Sequence, residues 1–81
     1  MTDAPRLVLT RATHSRRLRF TYRNHRGEVR ERLADPQYLT YRASEWHPEP
    51  QWLLVGYDPS KDATREFALK DMTEVRKGSS E

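Results

Sequence analysis

The chain has 81 residues, of which 35% are hydrophobic and 33% are charged, so we expect one small domain with a modest core. It contains no cysteine, which excludes disulfides and thiolate metal sites. Fifteen Lys and Arg residues against twelve Asp and Glu residues give a net charge of +3. Nine arginines precede residue 33, where only three acidic residues offset them, so the N-terminal part is strongly basic. Arginine suits phosphate and carboxylate groups, although a solvated surface explains the same pattern.

No stretch of the sequence is long enough to cross a membrane. The longest apolar run, Trp52–Val55, has four residues, whereas a membrane span needs about 20. The first five residues contain an acid and a proline where a secretory signal carries basic residues. We therefore expect a cytoplasmic protein with no membrane partner.

The first predicted element is a short helix over residues 6–15, which neither glycine nor proline interrupts. It is too short to be stable alone and would have to dock on the rest of the domain. From Leu18 the pattern alternates with a period of two. Leu18, Phe20 and Tyr22 share one face and arginines lie between them, which predicts a half-buried strand over residues 18–23. Residues 1–5 and 77–81 are expected to be frayed.

Asn24–Gly27 predicts a tight turn and hence a hairpin, because Gly27 can adopt a positive φ. The return strand carries apolar residues on one face and arginines on the other. We expect its arginines to lie beside those of the first strand, so that the hairpin has one arginine-rich outer face. The arginines assigned to this face are Arg17, Arg19, Arg23, Arg30 and Arg32.

The rest of the chain predicts four more strands, over residues 37–42, 52–57, 64–69 and 73–76. The chain bends at Pro36, and a loop stiffened by Pro48 and Pro50 precedes the strand that begins at Trp52. That strand is apolar on both faces, which predicts a central position with Trp52 and Leu54 in the core. The predicted fold is mainly β with a short N-terminal helix. It is a single domain over residues 1–81, either a small SH3/Sm-like partly open barrel or a strongly bent antiparallel sheet.

The sequence offers no catalytic or metal-binding arrangement. Its three histidines fall on different predicted elements without the spacing of metal ligands. Three glycines are too few for a phosphate-binding loop, and no serine lies in a nucleophile-elbow motif. Asp58 and Asp62 flank a turn and are interpreted as turn residues. We expect no enzyme activity, no cofactor and no metal.

Basic and aromatic residues interleave in a way that suits a nucleotide or single-stranded nucleic acid. Guanidinium groups bind phosphates, and planar side chains stack on bases. Tyr38, Trp46 and His47 could present planar surfaces near the arginines. Trp46 and His47 lie in the proline-bounded loop, which makes them candidates for exposed recognition groups.

Four stretches of the chain form a pattern by their order and spacing: Leu18–Tyr22, Asp35–Leu39, Gln51–Asp58 and Arg65–Met72. Together they resemble the WYL domain of bacterial transcriptional regulators, which is itself similar to an Sm/SH3-like β-barrel. Trp52 and Leu54 match the first and third letters of the family name, and Arg65 matches the arginine of the following strand.

The chain departs from the family pattern at two positions. Leu53 stands where the family has a tyrosine, so the hydroxyl expected there is missing. Lys70 replaces a second arginine, which keeps the charge and loses the bidentate geometry.

The resemblance implies a sensor module that binds single-stranded nucleic acid or a nucleotide-like effector on a basic surface. WYL domains usually follow a winged helix, and only 17 residues precede Leu18. We therefore expect a stand-alone WYL-like protein, or one that has kept the fold and lost the ligand. Its expected partners are a nucleic acid or nucleotide, a separate DNA-binding protein, or a second copy of itself.

The leading hypothesis is a non-enzymatic regulatory module that binds a phosphate-bearing ligand on the arginine-rich face. The alternative is a protein-interaction module or homodimer, with Trp46 and the tyrosines at its centre. Two interpretations of Arg65 remain open: it reaches the rim of a pocket, or it pairs with an acid such as Asp58 or Asp71. The candidate ligand-binding residues are Arg19, Arg23, Arg30, Arg32, Tyr38, Trp46, His47, Arg65 and Lys70.

Overall fold

A computed structural model describes residues 6–8, 17–45 and 47–78, and these residues are mainly β, as predicted. Its strands are β1 (Arg6–Val8), β2 (Leu18–Arg23), β3 (Val29–Arg42), β4 (Gln51–Asp58), β5 (Ala63–Ala68) and β6 (Met72–Lys77), with a 3-10 turn at Leu69–Asp71. Every strand pairing is antiparallel. In the described part of the chain, no helix has the length and apolar character needed to span a membrane.

The long strand β3 organises the sheet, whose strand order is β5-β4-β3-β2-β6 with β1 also paired to β3. Its first half pairs with β2 as far as Ala34, and its second half pairs with β4. The two strands predicted on either side of Pro36 are therefore one strand. Its register shifts between Pro36 and Tyr38, and this bulge accommodates a proline that cannot donate to the ladder.

The sheet is strongly bent and is not closed into a barrel. The ring centroids of Phe20 on β2 and Phe67 on β5 are 5.0 Å apart, although β3 and β4 lie between their strands. In a flat sheet those two strands would be about 14 Å apart. Within the described residues no ladder joins β5 to β6, so a seam remains open. Of the two predicted architectures, the bent sheet is the one observed.

Gly56 allows β4 to approach β3 where β3 bends. A Cβ atom at this position would lie 2.9 Å from the backbone oxygen of Asp35 and 3.3 Å from the Cβ of Ala34. The first distance is shorter than real Cβ contacts, so any other residue would push the two strands apart.

The core lies on the concave side of the sheet. Its buried members are Phe20, Tyr22, Ala34, Leu54 and Phe67, with Leu18, Leu39 and Met72 packed against them. The predicted burial is confirmed for Phe20, Tyr22 and Leu54, and Leu18 is partly buried.

Trp52 was predicted in the core, and this prediction is wrong. Its side chain is 43% exposed and packs on Tyr41, the residue opposite it on β3, with ring centroids 5.5 Å apart. Trp52 shares the face of Leu54, but it lies near the start of β4, beyond the end of the core. The adjacent Leu53 is buried instead.

The helix predicted over residues 6–15 is also wrong where the structure describes it. Arg6–Val8 form β1, which pairs with residues 38–40 of β3. Because β2 pairs with β3 only as far as Ala34, the edge of β3 beyond that point is available to β1. Residues 9–15 of the predicted helix lie outside the described residues.

Candidate functional site

A cleft of about 190 Å³ lies where the β2–β3 hairpin approaches β5, whose outer edge pairs with no other described strand. The hairpin, the loop before β4, and strands β4 and β5 all contribute to its walls. The lining residues are Tyr22, Asn24, His25, Arg32, Ser44, His47, Leu53, Arg65, Glu66 and Phe67. The cleft therefore lies where the bend of the sheet brings the hairpin towards β5.

Arg32 is held rigidly at the cleft. It lies opposite Phe20 in the β2–β3 ladder, so it shares the concave face, and its Cζ atom is 5.5 Å from the centroid of the Phe67 ring. Its Nη2 donates to Oδ2 of Asp58 over 2.9 Å, and the Asp58 side chain is fully buried. Burial opposes ionisation of Asp58, but hydrogen bonds from Arg32 and Ser60 outweigh it and hold the pKa of Asp58 below its ordinary value.

Tyr22 contributes a hydroxyl to the cleft. The hydroxyl oxygen accepts a hydrogen bond from the backbone N–H of Ala68 over 2.9 Å, and this bond joins the hairpin to β5. Burial, opposed by that hydrogen bond, raises the pKa of Tyr22 above its ordinary value, so the phenol is protonated at neutral pH. The described residues provide no acceptor for its proton. Leu53 lines the same cleft without a hydroxyl.

Arg65 lies on β5 opposite Gly56, with its side chain exposed at the cleft. Of the two acids considered as its partners, Asp58 binds Arg32, and Asp71 lies 3.6 Å from Nε2 of His47. Arg65 forms no ion pair with any acid in residues 17–45 and 47–78. The geometry supports the pocket-rim interpretation.

His47 is positioned by a compact turn in the loop before β4. The Ser44 N–H donates to the His47 carbonyl over 2.8 Å, and the His47 N–H donates to Oγ of Ser44 over 3.1 Å. With Asp71 on its far nitrogen, the imidazole joins this loop to the 3-10 turn. Trp46, predicted as an exposed recognition group beside it, lies outside the described residues.

The expected single arginine-rich face is absent, which is a correction to the sequence prediction. In the β2–β3 ladder, Arg32 lies opposite Phe20 and Arg30 lies opposite Tyr22. Residues directly opposite each other in an antiparallel pair share a face, so Arg30 and Arg32 lie on the concave face. Arg19 and Arg23 alternate with Phe20 and Tyr22 along β2, so they lie on the convex face. A connection over residues 24–28 sets this register by pairing Arg23 with Val29.

The charge on the convex face is partly neutralised. Nη1 of Arg19 lies 3.4 Å from Oε1 of Glu31, and Arg76 of β6 binds the same carboxylate. Surface pairs of this kind contribute little to stability, but they reduce the charge available to a ligand.

Of the predicted site residues, the structure brings Arg32, His47 and Arg65 together at the cleft. Arg19, Arg23, Arg30, Tyr38 and Lys70 do not line it. The sequence interpretation missed Tyr22, because its position in the alternation made it a core residue. Its buried hydroxyl, which requires a partner, was the available signal. No group of three acidic or histidine side chains suited to a metal ion occurs among the described residues.

A model of the WYL domain family matches residues 6–77. No curated protein and no solved structure matches the chain. The match extends beyond the four stretches that carry the resemblance and spans every strand from β1 to β6. The chain therefore belongs to the WYL domain family.

Proposed function

We propose that this WYL domain is a non-enzymatic sensor module that binds a phosphate-bearing ligand, a nucleotide or single-stranded nucleic acid, in the cleft beside β5. Family membership supports a regulatory role, because WYL domains are commonly found in regulators of the ligand-sensing type. The observation that carries the proposal is Arg65, an exposed guanidinium at the cleft that pairs with no acid in the described part of the chain.

The cleft combines the groups that such a ligand needs. The Arg65 guanidinium can bind a phosphate through two parallel hydrogen bonds, and the Tyr22 hydroxyl has a proton to donate. Cζ of Arg32 lies 5.5 Å from the centroid of the buried Phe67 ring. An arginine guanidinium can also stack on a base, as it does in nucleic-acid complexes.

Fluorescence anisotropy with labelled adenosine monophosphate and a short single-stranded oligonucleotide tests the proposal. Arg65→Ala should weaken binding about 10- to 100-fold, because a hydrogen bond to a charged group contributes about 1.5–3 kcal/mol. Lys77→Ala is the matched control, since it removes one positive charge from β6 outside the cleft. Absence of binding at low salt to nucleotide, single strand and duplex would overturn the proposal.

A specific observation also favours the second candidate function, a protein-interaction module or homodimer. Tyr41 and Trp52 form an exposed aromatic pair, 41% and 43% accessible, and such rings are frequent centres of protein interfaces. Anisotropy measured at increasing salt concentrations distinguishes the two candidate functions. Phosphate binding weakens steeply with salt, whereas an interface centred on these rings should change little.

A further inference from the structure

We infer that the cleft binds one nucleotide unit through one phosphate, whether that unit is free or part of a strand, and does not hold a run of nucleotides. This inference rests on the proposed function and limits the ligand it can take. It follows from the charges and the size of the cleft and from the positions of the other arginines.

The first argument is the charge balance of the lining residues. Arg32 is bound to Asp58, and Glu66 is bound to Arg42. His47 lies against Asp71, and histidines carry charge only when protonated. Arg65 is left as the one permanently charged lining group without an ionic partner in the described ranges. One unpaired guanidinium matches one phosphate.

The second argument is size. Pockets that enclose drug-sized ligands measure about 300–1,000 Å³. The cleft, at about 190 Å³, is smaller and encloses no more than a phosphate and the planar part of one nucleotide.

The third argument is that Arg19 and Arg76, on the convex face, do not continue the charge of the cleft. Arg19 and Arg76 lie on β2 and β6 and share the Glu31 carboxylate. Arg30 is exposed on the concave face opposite Tyr22, but it does not line the cleft. Arg30 is therefore the position where a bound strand would make its second phosphate contact, if there were one.

The test compares adenosine monophosphate with a six-residue single-stranded oligoadenylate across a salt series. One-unit binding predicts affinities within about tenfold of each other, since the strand offers six equivalent units. It also predicts a log–log salt slope of about −0.7 for the hexamer, which is the slope of a single phosphate contact. Arg65→Ala should weaken both ligands equally. Arg30→Ala, which removes the same charge from the same face, should change neither.

The inference is overturned if the hexamer binds more than about 100-fold tighter with a slope steeper than about −2, and Arg30→Ala weakens the hexamer alone. In that case the proposed function stands, because binding still occurs and still depends on Arg65. Failure of both ligands to bind at low salt overturns the proposed function itself, so the two failures are distinguishable.

Discussion

Arg32 and Arg65 lie at the same cleft but differ in what their charges already contact. Arg32 is 18% exposed and bound to the fully buried carboxylate of Asp58, so its removal would leave that carboxylate buried without its ionic partner. Arg65 has no such partner in the described ranges, and its removal should leave the fold intact. Arg65 is therefore the position where a loss of binding can be separated from a loss of stability.

Two large aromatic side chains, Phe67 and Trp52, should contribute differently to the free energy of unfolding. Phe67→Ala removes a buried ring and should lower the free energy of unfolding by about 3–5 kcal/mol. Trp52→Ala removes a ring that is almost half exposed and should cost about 1 kcal/mol. Chemical denaturation of the two variants and the parent measures both costs. Equal losses would place Trp52 in the core and contradict its position here.

The turn between β4 and β5 is tied to the cleft through Asp58. Oδ1 of Asp58 accepts the N–H and the hydroxyl of Ser60 over 2.9 and 2.7 Å, and Oδ2 accepts from Arg32. One buried carboxylate thus closes the turn and fixes a guanidinium of β3. The prediction that Asp58 is a turn residue is confirmed, and its bond to Arg32 extends that role.

This arrangement predicts acid-induced destabilisation. The pKa of Asp58 is lower in the folded state than in the unfolded chain, so the ionised carboxylate stabilises the fold. This stabilisation is complete above the unfolded pKa of about 3.9 and is lost as pH falls through the folded pKa. Asp58→Asn should reduce stability by about 3–5 kcal/mol at neutral pH and should flatten the acid dependence.

Thermal melts between neutral pH and pH 2 measure this dependence. A loss of this size can unfold a small domain, so Ser60→Ala provides a milder variant that removes one hydrogen bond to the carboxylate. It should remain folded and lose stability at a higher pH than the parent. An unchanged acid midpoint in Ser60→Ala would contradict the role assigned to Asp58.

At the level of elements, local sequence patterns predicted individual strands and turns, but they could not predict how the strands pair. The alternation from Leu18 to Tyr22 predicted β2 with the observed bounds, and Gly27 has the positive φ, 83°, expected in the hairpin turn. Alternation could not show which face of the return strand meets the core, because that depends on the register set by residues 24–28. The strand that begins at Trp52 is apolar on both faces, and this pattern could not show that the core ends before Trp52.

The cleft depends on the fold of the whole molecule, because its walls come from segments that are distant in sequence. The hydrogen bond from Ala68 to Tyr22 joins residues 46 positions apart, and the contact between Phe20 and Phe67 depends on the bend of the entire sheet. Sequence reasoning identified Arg32, His47 and Arg65 by residue type and by family resemblance. It could not show that the bend brings them together, since no short-range pattern encodes that bend.

The central claim is that a phosphate-bearing ligand binds in the cleft between the hairpin and β5. The most direct test is a titration of ¹⁵N-labelled protein with adenosine monophosphate, followed by amide chemical shifts in two-dimensional NMR spectra. We predict shifts at Tyr22, Ser44, His47 and residues 65–68, with none at Arg19, Thr21 or Arg76 on the convex face. Shifts confined to the convex face or to Tyr41 and Trp52, or no shifts at millimolar ligand and low salt, would contradict the claim.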